Sequence, residues 1–85
     1  MTVGITDSHC HVWWDQFDAD RDLVLERARA AGVDRMVVVG TDVETSTASL
    51  DLAAREPGLH GTAGLHPHDA AKFNGETRRS IEALC

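Results

Sequence analysis

The sequence predicts an α/β fold in which β/α units build a parallel sheet. Three observations carry that prediction. The run "RMVVVGT" is apolar without alternation, which suits a strand covered on both faces, as in a parallel sheet. Helical apolar spacing flanks it on either side. The order strand, helix, strand, helix, strand, helix then implies right-handed parallel crossovers.

The first strand is predicted from Val3 to Thr6, where β-branched residues lead into "DSHCHVWW". A helix follows over Asp20–Ala31: Val24, Ala28 and Ala31 recur at helical spacing, acids cluster at the start, Arg27 and Arg29 lie near the end, and Gly32 is a stop. The second strand is Arg35–Thr41. A second helix begins at Glu44 or Ser46, places Leu50, Ala53 and Ala54 on one side, and ends at Glu56 before the breaker pair Pro57 and Gly58. "GTAGLH", from Gly61 to His66, is the third strand, although glycine is a poor strand former. Asn74 caps a third helix with Ile81 and Leu84 on one face.

Three such units do not close. A barrel of eight takes roughly 250 residues, so the 85 residues are expected to be the first third of a larger α/β fold, truncated. Apolar residues at 42% and charged residues at 26% exclude a disordered tail. The net charge of -6 argues against a non-specific nucleic-acid binder, which needs a Lys/Arg-rich face. It leaves open an enzyme acting on phosphates, because divalent cations can supply the positive charge locally. No apolar run reaches membrane-span length, and "MTVGITDSH" has neither a basic start nor a signal-type core, so a cytoplasmic protein without membrane contact is expected. Cys10 and Cys85 form no disulfide framework. Nucleophile-elbow serine, Gly-rich phosphate loop and CxxC motifs are all missing from the sequence.

The chemistry lies in the histidines. Residues i and i+2 of a strand share a face about 6.5–7 Å apart at their Cα atoms, so His9 and His11 can converge on one ion while Cys10 points away as a buried structural thiol. In an arbitrary protein an H-x-H pair is more often two exposed or singly hydrogen-bonded histidines. Position favours the metal here, since active sites of parallel α/β folds sit at the C-terminal ends of strands. Imidazole suits zinc or manganese better than magnesium, and Asp7 shares the face of the two histidines, where its carboxylate could orient a ligand. His66 and His68, separated by Pro67, fall on the same rim after the third strand. His60 precedes that strand, at the opposite end, and is expected at the surface. Asp42 is as suited to capping the second helix as to meeting substrate, and Arg78 and Arg79 suit a solvated helix face.

"DSHCHVWWDQFDADRDLVLERARAAGV", "VVVGTDVETSTASLDLAAREP" and "GTAGLHPHDA", in that order, resemble the N-terminal third of the TatD family of metal-dependent hydrolases. The resemblance runs through essentially the whole chain and implies that residues 1–85 are the N-terminal part of a single TatD-like hydrolase domain of TIM-barrel type. It implies hydrolysis of phosphodiester bonds in DNA or a related substrate, with two divalent metal ions (Zn, Mn or Mg) and no obligate protein partner. His9 and His11 match ligands of the first metal. His66 matches a position on the substrate-phosphate side, with His68 beside it. The family's other ligands come from later strands, so the chain alone is expected to be inactive.

Trp13 and Trp14 depart from the family, which places Asp or Asn soon after the histidine pair; loop packing and stacking on a nucleobase are both open. Three other functions stand beside the nuclease. An amidohydrolase or lactonase could use the same first ligands on a carbonyl substrate, four rim histidines could bind one structural zinc without catalysis, and a truncated frame could have no activity at all.

Overall fold

A computed structural model describes residues 4–85. Its elements are β1 (Ile5–Cys10), α1 (Arg21–Ala30), β2 (Val33–Val38), α2 (Val43–Arg55), β3 (Leu59–Gly61) and α3 (Gly75–Leu84), with short 3-10 turns at Asp15–Phe17 and Pro67–Lys72. Val3, the predicted start of the first strand, lies outside the described residues. The sheet order is β1-β2-β3 and both pairings are parallel, as the alternating pattern predicts. Among the described residues no helix is long and apolar enough to cross a membrane.

Leu25 of α1, Met36 and Val38 of β2, Leu52 of α2 and Leu59 of β3 form one buried cluster. The predicted stripe of α1 flanks this centre rather than making it: Val24 and Ala28 are half-buried and Ala31 is exposed, while Leu25 is buried. On β2 the buried residues alternate, with Val37 and Val39 only half-buried. The expected cover on both faces is therefore realised on one, where the helices lie.

β3 corrects a boundary. Leu59, His60 and Gly61 pair with Met36, Val37 and Val38, so the strand begins before Gly61 and stops there instead of continuing to His66. Beyond Gly61 the Thr62 amide still donates to the Val38 carbonyl of β2 at 3.0 Å, but the Thr62 carbonyl and Gly64 turn to α2. The Ser49 hydroxyl donates to the Thr62 carbonyl at 2.7 Å, and the Ser46 hydroxyl accepts from the Gly64 amide at 3.0 Å and faces the Gly64 carbonyl at 3.2 Å. These bonds satisfy the backbone groups that a longer strand would have used. His60 consequently sits inside β3, exposed, and not before it.

The same bonds explain why α2 buries Ser46, Ser49 and Leu52 instead of the predicted Leu50, Ala53 and Ala54, of which Ala54 is exposed. The helix rides close against the strand ends. A Cβ on Gly40 would collide with the Ser46 hydroxyl and lie 2.5 Å from Ser46 Cα and 2.7 Å from the Thr62 carbonyl, so only glycine permits the approach.

Asp42 caps α2. Its carboxylate accepts from the Thr45 amide at 2.8 Å, and the Thr45 hydroxyl accepts from the Asp42 amide at 3.0 Å, a reciprocal capping box. Asp42→Ala is expected to cost about 1 kcal/mol, seen as a lower urea midpoint with an unchanged slope. Asn74 caps α3 through its side-chain oxygen, which accepts from the Thr77 amide at 2.8 Å. Arg78 pairs with Glu82 on the exposed side of that helix at 2.9 Å, in keeping with a solvated face.

Candidate metal centre

β1 delivers the histidine pair through an irregular register. Asp7 pairs with Met36 and Cys10 with Val38, so three steps on β1 match two on β2. A bulge of this kind re-aims side chains and is common beside functional sites. β1 ends at Cys10 and His11 lies just past it. Their convergence survives the irregularity: the Nε2 atoms of His9 and His11 stand 3.2 Å apart.

That separation tests the metal expectation. Two imidazole nitrogens at 2.0–2.1 Å from a tetrahedral ion lie about 3.3–3.4 Å from each other, so the spacing of the pair, which is that of a hydrogen bond between the two rings, is also compatible with one shared ion. The proton of His11 is placed accordingly. Its Nδ1–H donates to the Val39 carbonyl at 3.2 Å, which leaves the Nε2 lone pair facing His9. Asp7 acts on the backbone, its carboxylate accepting from the His9 amide at 3.0 Å.

The loop after the pair is built around His11. Trp13 donates from Nε1 to the same Val39 carbonyl at 2.8 Å and meets the His11 ring edge-on at 5.4 Å. Trp14 lies parallel to that ring, 5.5 Å between centroids and 9° between planes. Arg21 secures this loop, donating to the carbonyls of Val12 at 2.7 Å, Trp13 at 3.2 Å and Trp14 at 3.0 Å, and to the Asp18 carboxylate at 2.7 Å. Sequence reasoning missed Arg21. The signal available was an arginine at the first position of a helix, where the dipole disfavours a cation, so that some other partner had to hold it.

The second pair docks on the next part of the rim. The His66 amide donates to the Thr41 carbonyl at 2.7 Å, while Val39, two residues earlier, receives His11. His66 Nδ1 accepts from the His68 amide at 3.1 Å, so a neutral His66 carries its proton on Nε2 and offers a donor where His11 offers a lone pair. His68 lies edge-on to His66 at 4.7 Å, and both are exposed. The two histidine pairs share a rim without merging. Among the described residues no group of three or more His, Cys, Asp or Glu is gathered as metal ligands, which removes geometric support for a single four-histidine zinc.

Cys10 is half-buried, not fully buried, and turns to the core, its thiol 3.6 Å from the Val37 carbonyl. Burial raises its pKa, and the Asp7 charge adds to the rise against a backbone hydrogen bond from Val12 that lowers it. The thiolate is the reactive form, so iodoacetamide at neutral pH is expected to label exposed Cys85 well before Cys10, as peptide mapping by mass spectrometry would record.

The chain matches the TatD related DNase family over residues 6–85. It is 49% identical over 69 residues to the 3'-5' ssDNA/RNA exonuclease TatD of Cronobacter turicensis, covering 81% of this chain and 26% of that protein. The protein of the same name from Salmonella typhimurium is 45% identical over 69 residues, with the same coverage. The chain thus spans about a quarter of the length of these curated relatives. Among solved structures, YJJV, a TatD homolog from Escherichia coli k12, superposes with a TM-score of 0.84 at 30% identity, over 93% of this chain and 30% of that one. The expectation of three β/α units of a TIM-barrel-like fold is borne out by that superposition and by the parallel sheet.

Proposed function

The chain belongs to the TatD related DNase family, and from that premise we propose that it forms the N-terminal part of a metal-dependent hydrolase domain that cleaves phosphodiester bonds in single-stranded DNA or RNA. Its relatives carry the name of 3'-5' exonucleases, and that polarity is extended here to the protein of which these residues form a part. The family uses divalent metals. We assign two to the complete site, zinc or manganese suiting the imidazoles better than magnesium.

The observation that carries the reading is the 3.2 Å approach of the His9 and His11 Nε2 atoms, with the His11 proton held away on Nδ1. These two residues hold the first ion. A divalent ion supplies charge that polarises a phosphoryl oxygen and acidifies a water. His66, with its donor at Nε2, hydrogen-bonds a phosphate oxygen of the substrate, and His68 borders the same side. Arg21 acts at a distance, holding the loop that packs around His11.

The test begins with calorimetric titration of the chain with Zn2+ and Mn2+. One weak site is expected, abolished in His9→Ala. Because no group of three or more candidate ligands is gathered among the described residues, hydrolysis of a single-stranded oligonucleotide by the chain alone is expected to remain at background. A longer protein containing it should shorten the oligonucleotide from the 3' end and stop on addition of chelator. Chelator-resistant hydrolysis by that protein, or ion binding by the chain that survives loss of both histidines, would overturn the proposal.

A further inference from the structure

Between the tryptophan loop and the first turns of α2 lies a cleft of about 540 Å³, bordered by Trp13, Trp14, Asp15, Gln16, Glu44 and Ala48. Its volume is within the roughly 300–1,000 Å³ of small-molecule sites. We infer that this cleft is a nucleobase subsite, in which Trp14 is the stacking platform for a base of the strand whose phosphate reaches the His9–His11 centre; the inference rests on the nucleic-acid reading above.

The two tryptophans have different commitments. Trp13 is tied down: its indole N–H is bonded to the Val39 carbonyl and its ring packs against the core. Trp14 is 44% exposed although it is among the largest apolar side chains of the protein. One face of Trp14 lies along the His11 ring, and Trp13 stands perpendicular to it at 6.0 Å and 88°. The result is an aromatic corner of two perpendicular rings that borders the cleft, one ring away from a proposed metal ligand.

Charge selects the occupant. The lining contains two carboxylates, Asp15 and Glu44, and no Lys or Arg, so a phosphate would be repelled while a neutral base would not. Asp15, Glu44 and Gln16 can accept from the ring or amino N–H groups of a base edge. Stacking supplies affinity with little regard to sequence, because every base has a π-face. An exonuclease that advances along a strand needs that tolerance.

The test compares a short oligodeoxyadenylate with an abasic oligomer of equal length, both end-labelled, in EDTA so that neither hydrolysis nor metal affinity enters. Affinities come from fluorescence anisotropy. The chain has two tryptophans and no tyrosine, so quenching of its intrinsic fluorescence places the bound base at this corner. Oligodeoxyadenylate is expected to bind roughly tenfold more tightly than the abasic strand and to quench saturably. Trp14→Ala should erase that advantage and Trp14→Phe should restore most of it. Equal affinity of the native chain for the two oligomers overturns the subsite and leaves the nucleic-acid reading standing. Failure of both to bind overturns the subsite, while the nucleic-acid reading is decided by the oligonucleotide and chelator assay on the longer protein. A base preference retained in Trp14→Ala, with native far-ultraviolet circular dichroism, removes Trp14 as the platform. If that variant does not fold, the native comparison and Trp14→Phe decide: base preference with quenching supports the subsite, and loss of preference in Trp14→Phe overturns it.

Discussion

His11→Ala is expected to lower metal affinity by at least about a hundredfold, and to lower with it the activity of a protein that contains the complete site. Loss of a group that merely orients a ligand costs about 10–100-fold in metal affinity, and His11 is proposed as the ligand itself. Its Nε2 has one counterpart, on His9 at 3.2 Å, and no group of three or more candidate ligands is gathered among the described residues. No neighbour can therefore replace it. Cys10→Ser is the matched control, because the intervening thiol faces the Val37 carbonyl and the core. Metal content by elemental analysis and affinity by calorimetry should fall in the histidine variant alone. Equal losses in both variants would mean that the bulge at residues 8–9 turns Cys10 toward the ion.

Leu25→Ala is expected to destabilise the chain by about 2–5 kcal/mol, the range for removing a buried leucine side chain. Leu25 is 1% exposed and joins α1 to the cluster of Met36, Val38, Leu52 and Leu59. A complete native domain of this length has about 4–13 kcal/mol of stability in all, so this single truncation is large on that scale. The loss should reach the candidate site, since Cys10, Val12 and Trp13 pack against the same cluster. Leu23→Ala, two residues earlier and 46% exposed, should change stability by no more than about 0.5 kcal/mol. Urea denaturation followed by circular dichroism measures both. Similar losses at the two positions would contradict the packing of α1 described above.

The element order, the parallel pairing and the limits of the helices were legible from local signals. Gly32 ends α1 as the sequence predicts, with φ of 102°, and Asn74 caps α3 because its side chain can bond an amide three residues on, wherever the helix packs. The spacing of His9 and His11 likewise brought two imidazoles together without any knowledge of the rest of the chain. What remained hidden depended on partners distant in sequence. The end of β3 is decided by Ser46 and Ser49, residues that look like solvent-facing helix positions until the close approach at Gly40 buries them. Arg21 becomes a clamp because the carbonyls of Val12, Trp13 and Trp14 come within its reach.

Sequence alone thus determined which residues could carry metal chemistry and on which rim they would fall. Tertiary structure decided the tautomer of the neutral rings: the Val39 carbonyl, 28 residues from His11, accepts a hydrogen bond from its Nδ1–H and leaves the Nε2 lone pair facing His9. At His66, the fold of the turn places the His68 amide against Nδ1 and leaves a donor. The amino-acid code is the same at both positions, and whether Nε2 presents a lone pair or a proton is set by whichever backbone group packs against the other ring nitrogen.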